Sequence, residues 1–163
     1  MKKYLKFYAG LFFLVICAFS VSPAFAAQAP LAIQRLVFAN EILDMGQFTP
    51  RPEARFNMDD ICYVYLEMSG FAMPPVQGGQ DEYSIDLSVD VALKLSQGGR
   101  VLVFEPDMAT LATVASSQLS SYFMAFAFNF EGWTPREYVL EVGLRDNLSG
   151  RTVSRDITLE LME

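Results

Sequence analysis

The segment YSIDLSVDVALKL (Tyr83–Leu95) gives the clearest indication of the fold of this chain. Apolar residues occupy every second position from Ile85 to Leu95, and the positions between them are polar or small. Because successive side chains of a β-strand point to opposite faces, this period of two predicts a long strand with one face in a core and one in water. The pair Gly98-Gly99 and the apolar run Val101–Phe104 follow, and they predict a hairpin partner for that strand.

Alternation recurs in further segments, so the chain contains several strands. Ile61–Met68 places Cys62 on an apolar face, which predicts that its thiol is buried. Tyr122–Phe130 has apolar residues on both faces, which is typical of a central strand covered on both sides. An opening strand is expected near Ile33–Phe38.

The C-terminal segment predicts a closing hairpin. Tyr138–Arg145 alternates, the turn Asp146–Gly150 follows, and the last strand continues to Leu161. Arg155 falls on the apolar register of that last strand, so we expect a bulge near it or a strand that begins only after it.

Two segments show no clear strand period. Asp44–Asp60 contains prolines, a glycine and charges, and is interpreted as a long loop. Asp107–Leu119 is rich in Ala, Ser and Thr, and is interpreted as a loop that could contain one or two helical turns. Together these patterns predict an all-β chain, an antiparallel β-sandwich of about seven strands.

The first residues have the layout of a secretory signal. Lys2, Lys3 and Lys6 precede the apolar run Phe7–Phe19, and Ser22–Ala26 ends in an A-x-A cleavage pattern. We therefore predict a signal peptide over residues 1–26, with an uncleaved anchor as the alternative, and a single domain over residues 27–163. The expected location is the periplasm or the extracellular medium.

Composition limits the possible partners. Loss of the three signal lysines leaves nine basic residues against 19 acidic ones, a formal charge of −10. Such a surface repels phosphate backbones and anionic headgroups, so nucleic acid is excluded and neutral or cationic partners are favoured. No other segment has the length of a membrane span, so we expect no stable membrane insertion after signal cleavage.

Pro135–Val142 and the turn Asp146–Gly150 resemble the last hairpin of immunoglobulin-like domains in exported bacterial proteins. Phe56–Tyr65 resembles the entry into an early strand of the same domains. The resemblance implies an immunoglobulin-like sandwich in which Tyr138 anchors a corner. It implies a fold and no particular activity, because this fold hosts many functions.

Catalytic chemistry is disfavoured. The chain has no histidine, which removes the commonest general base and zinc ligand. Cys62 has no basic neighbour in sequence to activate it, Lys94 lies on a polar strand face where it should be solvated, and the acidic pairs are ordinary for so acidic a surface. Asp146–Gly150 lacks the spacing of a calcium loop. We predict no catalytic residues, no metal and no cofactor.

Binding is the remaining function class, and its candidate residues are aromatic and cationic. Arg and aromatic side chains are enriched at the centres of interfaces. The alternative for the phenylalanines is that they plug the end of the sandwich, and Trp133 has the same two interpretations. The predicted binding residues are Phe48, Arg51, Arg55, Phe56 and Trp133.

The sequence thus predicts a non-enzymatic binding or scaffolding module, monomeric or weakly associated, that contacts another exported or envelope protein through a sheet edge or the Asp44–Asp60 segment. One alternative is a periplasmic accessory factor of the chaperone or inhibitor kind. The other is a carbohydrate-binding domain, in which Trp133 or the pair Tyr63 and Tyr65 would form an exposed platform.

Overall fold

The computed structural model describes residues 29–163, and the predicted signal peptide over residues 1–26 lies outside the described residues. The described residues form nine strands and no helix. The strands are β1 (Ala32–Asp44), β2 (Gln47–Pro50), β3 (Arg55–Phe56), β4 (Cys62–Ser69), β5 (Tyr83–Leu95), β6 (Val101–Ala115), β7 (Ser121–Phe128), β8 (Arg136–Asp146) and β9 (Arg151–Leu161).

The strands form two sheets. The four-stranded sheet has the order β2-β1-β4-β7, and the five-stranded sheet has the order β3-β9-β8-β5-β6. All neighbours are antiparallel except β3, which pairs with β9 in parallel. The predicted hairpin after Tyr83–Leu95 is confirmed by the pairing of Leu93 with Val103, and the closing hairpin by the pairing of β8 with β9.

The core lies between the two sheets. The inward-facing residues Cys62, Val64, Leu66 and Met68 of β4 are fully buried, and alternate residues of β5 and β8 face them across the sandwich. Burying one such Leu or Val side chain stabilises the fold by about 1.5–3 kcal/mol, so the alternation along β4, β5 and β8 is what holds the sheets together. The β-sandwich prediction is confirmed, with nine strands where about seven were expected.

The loop predicted over Asp44–Asp60 is partly wrong, because the segment contains β2 and β3. The β1–β2 ladder shifts register between Ala39 and Glu41 and again between Ile42 and Asp44. Each shift disrupts the alternation of side chains, so the period of two that marks a strand in sequence is absent there.

The loop or helical turns predicted over Asp107–Leu119 are also wrong, since β6 continues to Ala115. The ladder pairs Val89 with Ala109 and Val91 with Glu105, so three residues of β6 oppose Asp90 alone. Asp107 has a φ of 52° within this bulge. The bulge interrupts the ladder for three residues, one of them Pro106, and a proline inside an apolar run argues against a strand when only the sequence is read.

Two finer predictions fail as well. The segment Tyr122–Phe130 was expected to form a central strand, but β7 lies at the edge of its sheet. Arg155 was expected near a bulge or before the start of its strand, but β9 begins at Arg151 and pairs without a register shift. Arg155 is exposed, and its guanidinium donates a hydrogen bond to the backbone carbonyl of Gln34, 3.3 Å away.

Candidate binding site

The outer face of the five-stranded sheet is polar. Arg145 forms ion pairs with Asp90 at 3.5 Å and with Asp107 at 2.6 Å. Lys94 forms another with Glu141 at 2.5 Å. Hydrogen-bonded charges of both signs are typical of a face directed to solvent.

The outer face of the four-stranded sheet is aromatic. The rings of Phe48 and Tyr65 stack with centroids 4.2 Å apart, and those of Tyr65 and Phe123 stack at 5.7 Å. The amide of Gly46 donates a hydrogen bond of 2.9 Å to the Tyr65 hydroxyl, so the turn between β1 and β2 lies over this face. Tyr65 is therefore fully buried although it points away from the core.

A groove of about 540 Å³ opens between the end of β1 and β7, with Tyr63 of β4 on its lining. Two apolar residues on it are exposed, Leu43 at 70% and Tyr63 at 37%. Exposed apolar surface gathered into a concave site, unlike single apolar residues, marks a contact surface. The apolar residues that line the groove are Ile42, Leu43, Tyr63, Phe123, Ala125, Phe126 and Ala127.

The edge strands of the two sheets are unequally protected. β2 and β3 are four and two residues long. The edge strand β6 contains Pro106 and the bulge at Asp107, devices that prevent another strand from pairing. β7 has the sequence SYFMAFAF, without charge or proline, and its ladder to β4 runs without a register shift. In residues 29–163, β7 is thus the edge best suited to accept a further strand.

A second cavity lies between the sheets where β6 approaches the end of β7. It has a volume of about 130 Å³ and an apolar lining. We call it the seam pocket. Glu105 supplies its one carboxylate, and Trp133 forms part of its wall, with its ring edge-to-face against Tyr138 at 5.7 Å. The other main lining residues are Val91, Leu93, Val103, Met108, Phe128, Phe130 and Leu140.

The five residues predicted to bind a partner do not form one surface. Phe48 is half-buried on the outer face of the four-stranded sheet, where it covers Tyr65. Phe56 is fully buried between Phe38 and Phe130, as the plug interpretation expects. Trp133 is half-buried in the seam pocket.

The two predicted arginines lie at the end of the sandwich beside Phe56. The Arg51 guanidinium lies 4.1 Å from the centre of the Phe56 ring and donates a hydrogen bond of 2.9 Å to Asp60. The backbone amide of Asn57 and the Arg51 guanidinium lower the pKa of the Asp60 carboxyl. Arg55 forms a more exposed ion pair with Glu160. These contacts fasten β3 to the body of the domain.

The predicted burial of Cys62 is confirmed. Burial raises the pKa of its thiol well above the ordinary range, so the thiolate needed for nucleophilic attack is not formed near neutral pH. Lys94, expected to be solvated, is largely covered, and its hydrogen bond to Glu141 raises the pKa of its ammonium group. A lysine held in its charged form does not serve as a base.

The turn after β8 is organised by one buried carboxylate. Asp146 accepts hydrogen bonds from the Ala72 amide at 2.8 Å and from the Ser149 hydroxyl at 2.6 Å, and Arg151 lies 3.3 Å away. Burial alone would raise the pKa of Asp146, but these hydrogen bonds outweigh it and the pKa is lowered. The Arg151 guanidinium also donates to the Gly70 carbonyl at 2.7 Å, so the turn anchors neighbouring loops.

Within the described part of the chain, no cluster of three or more His, Cys, Asp or Glu side chains is arranged to hold a metal ion. The same residues contain no helix long and apolar enough to cross a membrane.

Sequence reasoning missed the groove residues at the end of β1 and on β7. Ile42 and Leu43 belong to a segment whose register shifts obscure the strand. Ala125 and Ala127 are exposed, although their segment reads as a strand covered on both faces. For Ala125 and Ala127, the sequence signal that could have identified them is the absence of charged residues along the whole of β7, in a chain that is strongly acidic.

No protein-family model matches the chain, and no curated protein matches it. The fold is similar to part of the alkylpurine DNA glycosylase AlkC of Pseudomonas fluorescens, at 13% sequence identity and a TM-score of 0.49 over 83% of this chain and 31% of that chain. It is similar to part of a β-glucosidase from Listeria innocua, at 10% identity and a TM-score of 0.42 over 82% of this chain and 16% of that one.

An immunoglobulin-like protein from Pseudomonas aeruginosa is matched over 83% of this chain and 99% of its own length, at 10% identity and a TM-score of 0.39. The chain spans less than a third of the glycosylase and glucosidase chains. At these TM-scores the likenesses carry no argument about activity.

Proposed function

We propose that this protein is an exported, non-enzymatic binding module that captures an extended segment of another exported or envelope protein along β7. The observation that supports it best is the uncharged, unbroken edge of β7 beside an apolar groove of about 540 Å³. A segment that adds to such an edge gains backbone hydrogen bonds, and its alternate side chains enter the groove.

We further propose that the sandwich is of the immunoglobulin-like type. Strands β1, β4 and β7 oppose β9, β8, β5 and β6, which fits the division of an immunoglobulin domain into an A-B-E sheet and a G-F-C sheet. Tyr138 stands near the start of β8, the counterpart of strand F, and its hydroxyl donates to the backbone carbonyl of Thr134. This is the arrangement of a tyrosine corner.

Export to the periplasm or medium is supported by the signal-like residues 1–26, and the formal charge of −10 favours a neutral or cationic partner. A chaperone-like or inhibitor-like factor would use the same edge and differ in holding its clients briefly. The carbohydrate-binding alternative is weakened, because Tyr65 is fully buried and cannot share an exposed platform with Tyr63.

The experiment compares two alanine-to-lysine variants of the tagged full chain in capture from the native envelope. Ala125→Lys places a charge on the exposed face of β7, and the control Ala112→Lys places the same charge on the exposed face of the other long edge, β6. We expect Ala125→Lys to lose a partner that the wild type and Ala112→Lys both retain, with equal melting temperatures. Equal capture by both variants would exclude β7 as the site.

A further inference from the structure

The seam pocket lies where an added strand would direct its inward side chains. Phe128 of β7 faces the core, since its ladder partner is the buried Cys62, and it also lines the seam pocket. The opposite wall is formed by Val103 and Met108 of β6, in the other sheet. The pocket therefore continues the core beyond the last strand of the four-stranded sheet.

A strand paired with β7 would reach this pocket directly. Directly opposed residues of neighbouring antiparallel strands have Cβ atoms about 4.5–5.5 Å apart. An added residue opposite Phe128 or Phe126 would thus place its side chain one strand spacing further toward β6, at the pocket mouth. Its two neighbours along the added strand would point outward, over Ala125 and Ala127.

Resting on the proposed function, we infer that the seam pocket receives one aliphatic side chain of the captured segment, so that the partner segment is apolar on its inward face. The volume of about 130 Å³ fits this occupant. A dry apolar cavity of about 150 Å³ holds a benzene-sized group, so the seam pocket accommodates a Leu, Ile or Val side chain and no larger polar group.

Charge further defines the captured segment. The groove has one carboxylate on its lining, Glu41, and the seam pocket has one, Glu105, and both residues are exposed. An acidic residue in the captured segment would meet these carboxylates and the net negative charge of the domain. The captured segment is therefore neutral or basic. It has an aliphatic side chain that points between the two sheets and smaller side chains that lie over the groove.

The test attaches a donor strand to the full chain after Glu163. β9 ends opposite Arg136, at the same end of the sandwich as Trp133, so an appended strand enters there and runs antiparallel to β7. A Gly/Ser linker of about 12 residues spans about 20 Å and provides an effective concentration in the millimolar range. Two donors of alternating Thr and Val are compared, identical except for Leu or Ser at the position facing the pocket.

Two readouts separate the two proposals. Hydrogen exchange of the β7 amides reports strand pairing, and the fluorescence of Trp133, the single tryptophan of the chain, reports occupation of the pocket. We expect both donors to slow β7 exchange, and only the Leu donor to shift Trp133 emission to shorter wavelength and to raise the melting temperature, by about 4 °C over the Ser donor.

Slowed β7 exchange with no difference between the Leu and Ser donors would overturn the pocket inference and leave the proposed function in place. Unchanged β7 exchange with both donors would overturn the proposed function as well. As a further check, Val103→Phe fills the pocket from the β6 side and should abolish the difference between the donors while keeping the slowed exchange. A difference that survives Val103→Phe would place the side chain elsewhere.

Discussion

The hydroxyl of Tyr138 donates a hydrogen bond of 2.7 Å to the backbone carbonyl oxygen of Thr134. This bond joins the beginning of β8 to the connection from β7, and the Tyr138 ring is almost completely buried against Trp133. It thereby fixes the corner at which the chain crosses from the four-stranded sheet to the five-stranded one.

Removing that hydroxyl should destabilise the domain. Tyr138→Phe leaves the Thr134 carbonyl without its donor in a part-buried site, so we expect the free energy of unfolding to fall by about 1–2 kcal/mol. Urea denaturation gives the value. Tyr83→Phe, the same change on a half-buried tyrosine of β5, is the control, and an equal loss in both variants would show that the corner bond has no special role.

Asp146 should make the free energy of unfolding of the domain depend on pH in the acidic range. Because the pKa of Asp146 is lowered in the folded state from its ordinary value of 3.8, its stabilisation is complete above pH 3.8 and is lost as the pH falls through the lowered value. Asp146→Asn should cost about 3 kcal/mol near neutral pH, the loss expected for breaking a buried ion pair.

The same variant gives the sign of the pH dependence. The difference in unfolding free energy between wild type and Asp146→Asn should narrow as the pH falls from 5 toward about 2, as unfolding curves at several pH values would show. Asp156→Asn, an exposed carboxylate on β9, is the control. A difference that stays constant over this range would contradict the assignment of the acid sensitivity to Asp146.

Two glycines with the same backbone conformation should respond differently to alanine. Gly46 and Gly70 have φ values of +70° and +72°, but a Cβ on Gly70 would lie 2.1 Å from the Pro30 carbonyl oxygen, whereas nothing lies within 4 Å of one on Gly46. Gly46→Ala should cost about 1–2 kcal/mol, the strain of the left-handed region alone. Gly70→Ala should cost clearly more, and equal melting temperatures would refute the steric argument.

The Arg51 and Phe48 side chains should contribute to stability. Phe48→Ala uncovers Tyr65, which should cost about 2 kcal/mol for a half-buried ring. Arg51→Ala removes a hydrogen-bonded ion pair and the contact with the Phe56 ring, about 1 kcal/mol. The double variant should therefore melt at a lower temperature, measured calorimetrically. Arg55→Ala, which breaks a more exposed ion pair, should change stability by no more than about 0.5 kcal/mol.

The sequence predicted the strands whose two faces meet different surroundings. Alternation along β5 follows directly from one face in the core and one in water, and the same holds for β4 and β8. The part of β6 after Pro106 was not recognised as a strand because the bulge at Asp107 interrupts the paired residues there, and because most residues beyond Ala109 are exposed on an edge. The alternation of apolar and polar residues therefore does not reveal a strand that is exposed to solvent on both faces.

The candidate site could not be placed from sequence for a related reason. Apolar residues on both sides of Tyr122–Phe130 indicate cover on both sides, yet Ala125 and Ala127 are exposed at an edge. The sequence pattern indicates which faces of a strand avoid water. It does not distinguish a face that is buried by other parts of the chain from a face that a binding partner would bury. Phe56 shows the reverse case, since an aromatic residue in an irregular segment proved to be a fully buried plug.

The composition of β7 also has a consequence for handling the protein. Eight consecutive residues without charge or proline, rich in aromatics, form a segment of the kind that seeds cross-β assembly when left uncovered. At high concentration and low ionic strength the acidic remainder of the domain keeps molecules apart, and added salt screens that repulsion. Concentrated samples in high salt should therefore aggregate sooner than samples of the same concentration in low salt, and storage in buffer of low ionic strength should keep the protein in solution.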